Sequence, residues 1–312
     1  MTLQAAILKD RAHMLEEVRS FFKKSNVLEV DCCSLVRFPP LDANVEVMDA
    51  SVSNDETGYL HTSPEYAMKR LLASGIGDIF FLGHVFRKGE VGTLHNPEFA
   101  MIEWYRSSIS YSDFIQETCE LIMRFIGRFP IRKLTYREAF QTHIGIDPFQ
   151  THDFTAIAKH LGIQTPPDSS LWDRDTWLQL LLSHAIEPNL GQSELTVLCE
   201  YPQSQAALAR VIERDGNLVA KRFEIYFAGI ELSNGYHELS DAAEQRRRFT
   251  QENLNRQAQG KEAYAIDEAF LHALGRLPDC CGVSVGFDRL MLIRHQAKAL
   301  HEVLPFAWEK TI

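Results

Sequence analysis

Glu224 and Glu231 are the residues whose type and spacing say most about chemistry. They lie in Arg222 to Phe227 and Ile230 to Ser233, two strand-like runs around Ala228-Gly229, a pattern that reads as a hairpin with a two-residue turn. With that turn Tyr226 falls opposite Glu231 and shares a face with Glu224, which makes the two carboxylates diagonal neighbours roughly 7 Å apart. Such a pair can bridge a divalent cation, and paired oxygen ligands suit Mg²⁺ holding phosphates. The same acids could equally form a solvated face with arginine partners. Asn234 and Glu238 follow closely and add a donor, an acceptor and a further acid. This excess of carboxylates suggests a cationic guest.

A second constellation surrounds Arg87. It ends the strand-like run Ile79 to Phe86, and its planar guanidinium can pair with a phosphate or a carboxylate. Across a polar loop carrying Glu90, His95 and Asn96, the return run Glu98 to Tyr105 puts Phe99, Glu103 and Tyr105 on one face. An aromatic platform beside an arginine is a seat for a nucleotide base. Near the C-terminus, Gly282 to Arg289 passes from alternating small residues into an apolar helix. Small residues let a backbone approach a ligand, and Arg289 in the first helical turn can face a phosphate. Neither a P-loop nor a G-x-G-x-x-G fingerprint is present, which sets those nucleotide-binding folds aside.

The elements that must hold these residues are readable in outline. Apolar residues at Ile7, Met14, Val18 and Phe22 follow helical spacing, and Val27 to Val30 reads as a strand. Ser63-Pro64-Glu65 starts a helix that reaches about residue 74, by cap, proline and dipole. Helical periodicity returns over 113–127, 174–186 and 241–259, with a loop at 165–170. The composition, 312 residues with 45% hydrophobic and 24% charged, is that of a globular chain with one large core or two modest ones. A net charge of -10 argues against holding a polyanion by bulk electrostatics. No apolar run approaches the ~18 residues of a membrane span, no signal-peptide pattern opens the chain, and the six cysteines lack metal or disulfide spacing. A cytoplasmic protein with reduced thiols is expected.

Three ordered segments carry a family resemblance. Phe86 to Tyr105 resembles motif 2 of class II aminoacyl-tRNA synthetases in its lysyl form, Gly282 to Leu290 resembles motif 3, and Arg11 to Val30 is similar to motif 1. Glu231 to Asp241, with Gln245, Arg248 and Phe249, resembles the lysine-pocket segment. Thr62 to Tyr66, Met68 to Leu71, Glu187 to Gly191 and Pro278 to Cys280 resemble a ligase branch of the lysyl-tRNA synthetases that attaches a lysyl or β-lysyl group to a lysine of elongation factor P. The motif 1 helix begins within the first ten residues, where a lysyl-tRNA synthetase would first carry an oligonucleotide-binding barrel, so no anticodon-dependent tRNA binding is expected.

The resemblance implies an α+β class II catalytic domain over residues 1–312, an antiparallel sheet flanked by helices, with a helical insertion around 130–195 and a homodimeric state. It implies ATP and Mg²⁺ as cofactors, lysine or (R)-β-lysine as substrate, and elongation factor P as acceptor. Arg87 and Arg289 take catalytic places: Arg87 on the α-phosphate and the amino acid carboxylate, Arg289 against adenine with Phe99 and near the γ-phosphate. Glu90, His95 and Asn96 lie along the nucleotide, Glu224 and Glu231 hold Mg²⁺, and Glu231 also serves the ATP phosphates. Glu65, Tyr105, Asn234, Glu238 and Ser284 line the lysine pocket. Gly89 stands where motif 2 has glutamate, Cys33 where motif 1 ends in proline, and Ser284 where the relatives have glycine or alanine. A synthetase acting on tRNA or a small acceptor, a related amide-forming ligase, and a non-catalytic regulatory paralogue stay open as alternatives.

Overall fold

The computed structural model describes residues 3–42, 44–167, 169 and 172–310; Asp168 and Ser170 of the expected loop lie outside them. In chain order the helices and strands begin with α1 (Leu3–Lys24), β1 (Leu28–Glu29), β2 (Leu35–Val36), β3 (Met48–Ser53), β4 (Glu56–Leu60), α2 (Glu65–Ala73), β5 (Ile79–Phe86), β6 (Glu98–Ser107) and α3 (Tyr111–Ile126). They continue with β7 (Ile131–Thr135), α4 (Tyr136–Ile144), α5 (Phe154–His160), α6 (Arg174–Leu181), β8 (Leu195–Pro202), β9 (Val211–Arg214), β10 (Asn217–Phe227) and β11 (Ile230–His237). The chain ends with α7 (Ala242–Ala258), α8 (Glu268–Leu274), β12 (Cys280–Gly286) and α9 (Phe287–Arg294). Two compact units form, one from residues 1–127 with 238–312 and the other from 128–237.

In the first unit β5 and β6 make the long antiparallel hairpin, Phe86 opposite Glu98 and Ile79 opposite Tyr105. β12 runs antiparallel to β6, and β1 runs parallel to β5. Helix α1 buries Ile7, Met14, Val18 and Phe22, one stripe at helical spacing, as periodicity requires. Phe22 stacks on Phe80 of β5 at 4.4 Å and packs beside Trp104 of β6, which Phe114 of α3 meets from its own helix. Burying such rings supplies roughly 2 kcal/mol or more each and fixes the hairpin between two helices. A small sheet of β2, β4 and β3 went unseen in the sequence; its strands are short and largely exposed, without the alternation that marks a half-buried strand.

In the second unit β10 pairs antiparallel with β11, β8 and β9, and β7 runs parallel to β8. The stretch expected to be a helical insertion holds α4, α5 and α6 together with β7 and the start of β8. Tyr136, Phe140, Leu178, Leu181, Leu198 and Tyr226 build its core. The β10–β11 turn is the expected two-residue type, with positive φ at both Ala228 (52°) and Gly229 (74°). Ala228 has a Cβ and resists that conformation. The segment Glu187 to Gly191 stabilises it: the Ala228 N–H donates to the Gly191 carbonyl at 2.7 Å and the Gly229 N–H to the Leu190 carbonyl at 2.9 Å. A side chain at Gly191, whose φ is 69°, would put its Cβ 2.5 Å from the Phe227 Cα and 2.6 Å from the Tyr226 oxygen.

Gly191→Ala should therefore destabilise the protein by about 2 kcal/mol or more, from left-handed strain plus backbone overlap. Urea unfolding measures this. A change below about 0.5 kcal/mol, the scale of an ordinary surface substitution, would show that this strap does not hold the turn.

Candidate active site

Three hydrogen bonds and a register set the first unit's site in place. Asp288, at the start of α9 and nearly fully buried, accepts from Arg11 of α1 and from the Ala100 N–H of β6 at 2.8 Å. One carboxylate thus ties the three motif segments together and fixes the helix that carries Arg289. Arg289 Nη2 lies 3.0 Å from His95 Nε2. Arg87 continues β5, its N–H donating to the Pro97 carbonyl, and its guanidinium lies 5.1 Å from the centroid of the Phe99 ring. Glu90 sits 3.7 Å from Arg87 Nη1. Gly89 has a φ of 79°, so the place where motif 2 has glutamate is here a left-handed turn position that favours glycine. Asn96 spends its side chain on the loop, donating to the Glu98 carbonyl and accepting from the Trp308 N–H. Arg87 Nε is buried and has no hydrogen-bond partner among the described residues. A buried unpaired guanidinium donor on a base-sized aromatic ring fits an anionic nucleotide.

Further along the same face of β6 the chemistry turns acidic. Glu103 is buried, accepting from Ser63 Oγ at 2.7 Å and from the Tyr105 hydroxyl at 2.9 Å. Ser63 also accepts from the Glu65 N–H, so the residue read as a helix cap orients this acid as well. Glu65 and Glu238 do not stand as bare pocket acids. Lys69, one helical turn after Glu65, places Nζ 2.6 Å from Glu65 Oε1 and 2.6 Å from Glu238 Oε2. Gly282 pairs with Tyr105, and Ser284 with Glu103, across β12 and β6. A Cβ on Gly282 would fall 2.3 Å from the Tyr105 ring and 2.4 Å from Glu238 Oε1, so glycine is what lets both side chains lie there. Sequence reasoning gave no role to Lys69 or Glu103, although the i,i+4 spacing from Glu65 and the alternation of β6 pointed to both.

The metal candidates and Asn234 belong to the second unit. Tyr226 pairs with Glu231 as expected, but the register shifts at Ile225/Tyr226, so Glu224 faces Asn234 directly. This bulge brings Glu231 and Asn234, three apart in sequence, onto one face. Glu224 is buried, and its Oε1 accepts from Arg222 at 2.6 Å while Oε2 accepts from the Tyr201 and Tyr226 hydroxyls at 2.5 Å each. Burial and the charge of Glu224 raise both phenols well above their usual range, so both stay donors. The Tyr226 hydroxyl oxygen also lies 3.1 Å from Glu187 Oε1. A carboxylate oxygen has two lone pairs, so Glu224 Oε1 retains capacity for a cation beside Arg222, and Glu231 shares its face. Such a donor set fits Mg²⁺ with waters or phosphate oxygens completing it. Among the described residues no group of three or more metal-ligating side chains forms, and no helix is long and apolar enough to cross a membrane.

Burial and the neighbouring charge of Glu65 push the Glu103 carboxyl up to about 8, against a downward pull from its two hydroxyl donors and Lys69. The folded protein then holds a proton that the unfolded chain releases above its usual value of 4.5. Stability should fall as pH rises from about 5 to 8, by up to about 1.4 kcal/mol per unit from this group. Glu103→Gln should flatten that slope in urea unfolding across the range. An unchanged slope in the variant would mean that Glu103 is ionised in the ligand-free protein.

Comparison with known proteins follows the same line. A model of the family described as tRNA synthetases class II (D, K and N) matches residues 2–310. The chain is 40% identical over 307 residues to the elongation factor P–(R)-β-lysine ligase of Pasteurella multocida, covering 96% of this chain and 94% of that protein. It is 41% identical over 312 residues to the ligase of the same name from Salmonella gallinarum, covering 97% and 95%. Against that of Hamiltonella defensa the figures are 40%, 97% and 95%. Matches of this extent and identity place the chain in the family of class II tRNA synthetases of the D, K and N group.

Proposed function

We propose that this protein activates lysine or (R)-β-lysine with ATP and transfers it to a lysine side chain of elongation factor P. The observation that carries the reading is on β6: Arg87 covers Phe99 at one end of a strand face, and the buried acids begin at Glu103, four residues or about 13 Å along it. A nucleotide seat and an acidic pocket on one face suit a reaction that joins an adenylate to a diamino acid. The names of the three relatives support elongation factor P as acceptor and (R)-β-lysine as substrate.

In this mechanism a carboxylate oxygen of the amino acid attacks the α-phosphorus of ATP in line. The bond to the β-phosphate oxygen breaks, and pyrophosphate leaves. The acceptor amine then attacks the acyl carbon, AMP departs, and the amine's proton passes to solvent. Arg87 draws in the α-phosphate and the carboxylate together and offsets the charge that builds there. Arg289, with His95 beside it, serves the far phosphate and the base that Phe99 supports; Glu90 and Asn96 shape the loop. Glu224 and Glu231 would hold Mg²⁺, which supplies charge neutralisation to the phosphates when bound. Tyr105, Glu65, Glu238, Asn234 and Ser284 receive the amino acid, with Glu103 added to them. We assign a homodimer with α1 and β1 at its interface, where Leu8 and Leu28 are exposed.

Arg87→Ala should lower lysine-dependent ATP/pyrophosphate exchange by about a hundredfold or more, the usual loss for a contact to developing charge. Exchange near the wild-type rate would remove Arg87 from this role. Intact-mass analysis of elongation factor P after incubation with the enzyme, ATP and (R)-β-lysine or lysine should show the gain of one aminoacyl group. An unmodified acceptor alongside robust exchange would keep the activation step and overturn the acceptor.

A further inference from the structure

Lys69 is among the most deeply buried charges in the molecule, and the reaction as described leaves it without a task. It is 1% exposed, as is Glu238, and its ammonium lies 2.6 Å from an oxygen of each of two pocket acids, Glu65 and Glu238. As a staple for the fold this is a poor device, because a buried ion pair returns little net stability after desolvation. Its geometry is more specific than a staple needs. Helix α2 puts Glu65 and Lys69 on one face, and the Glu238 N–H bonds to the Cys280 carbonyl at 3.0 Å, which fixes the third member from the β12 side. Lys69 takes Oε1 of Glu65 and Oε2 of Glu238, and so sets the rotation of both carboxylates. Glu238 Oε1 is then the oxygen that lies beside Gly282.

Glu103 lies near enough to feel the charges of both Glu65 and Lys69. Burial and the charge of Glu65 strengthen the hold of Glu103 on its proton. Burial alone would discharge Lys69, but Glu238 and Glu65 outweigh it and keep the ammonium charged.

We infer that Lys69 is a positioning residue for amino acid recognition, an internal cation that orients Glu65 and Glu238. This inference rests on the ligase reading.

The test uses the full-length chain and its Lys69→Met, Lys69→Arg and Lys69→Ala variants, assayed by ATP/pyrophosphate exchange with lysine and with (R)-β-lysine. In Lys69→Met the KM for the amino acid should rise by about thirtyfold or more, as for loss of one partner from a buried charge pair, while the KM for ATP stays within about twofold. Lys69→Arg should recover part of the loss. In Lys69→Ala, propylammonium, which refills the deleted volume with a charged donor, should restore amino acid-dependent exchange and raise the melting temperature, whereas tetramethylammonium, which has no N–H, should do neither. An amino acid KM unchanged in Lys69→Met overturns the role, and so does a parallel rise in both KM values. If the variants fail to fold, Lys69→Ala that gains no thermal stability from propylammonium overturns it as well. A wild-type protein without exchange for either diamino acid overturns the ligase reading and this role together, an outcome distinct from exchange that ignores Lys69.

Discussion

Keeping carboxylates out of water is the constraint on which the rest of the first unit depends. Glu103 and Glu238 are almost wholly buried, and Glu65 is nearly so. Ionised acids at such depth are tolerable only with cations, donors or protons at hand, and the chain supplies all three: Lys69, the hydroxyls of Ser63 and Tyr105, and a raised affinity of Glu103 for its proton. The glycine at 282 and the Ser63 hydroxyl just ahead of α2 are consequences of fitting these groups together. So is the fixed place of β12 on β6, since Gly282 and Ser284 face Tyr105 and Glu103 in register.

Rigidity comes from apolar packing that leaves polar groups few alternatives. The β5–β6 hairpin is clamped through Phe22, Phe80, Trp104 and Phe114, and Asp288 pins its middle to both α1 and α9. Arg87 and Phe99 inherit their juxtaposition from this clamp, because Val85 and Phe99 are paired across the strands. In the second unit Glu224 is held by an arginine and two tyrosines, so its position too is settled before any ligand arrives.

Much of this was legible in the sequence, and the reasons differ by element. The long hairpin, the start of α2 and the turn at Ala228-Gly229 were readable because each has a local cause: alternation, a proline with an acid behind it, and a two-residue turn, although Pro64 itself takes the N-cap place and no side chain caps the helix. The bulge at Ile225/Tyr226 was not, because it depends on pairing partners and leaves no local signature. Lys69 was passed over for a related reason. A lysine in a helix reads as solvent-exposed, and only the third partner, Glu238, 169 residues later, gives it a place inside. Most of the helices in 130–195 were hidden by weak periodicity, although their caps at Thr135, Asp153 and Asp173 are formed.

The most direct test of the account is the position of a non-hydrolysable lysyl-adenylate analogue in a crystal of the full-length protein. The account predicts the adenine on Phe99, the phosphate or its replacement at Arg87, and the terminal amine within hydrogen-bonding distance of Glu103, with Lys69 still bridging Glu65 and Glu238. An analogue bound away from β6, or an amine that meets solvent while Glu103 keeps Ser63 and Tyr105 to itself, would contradict it.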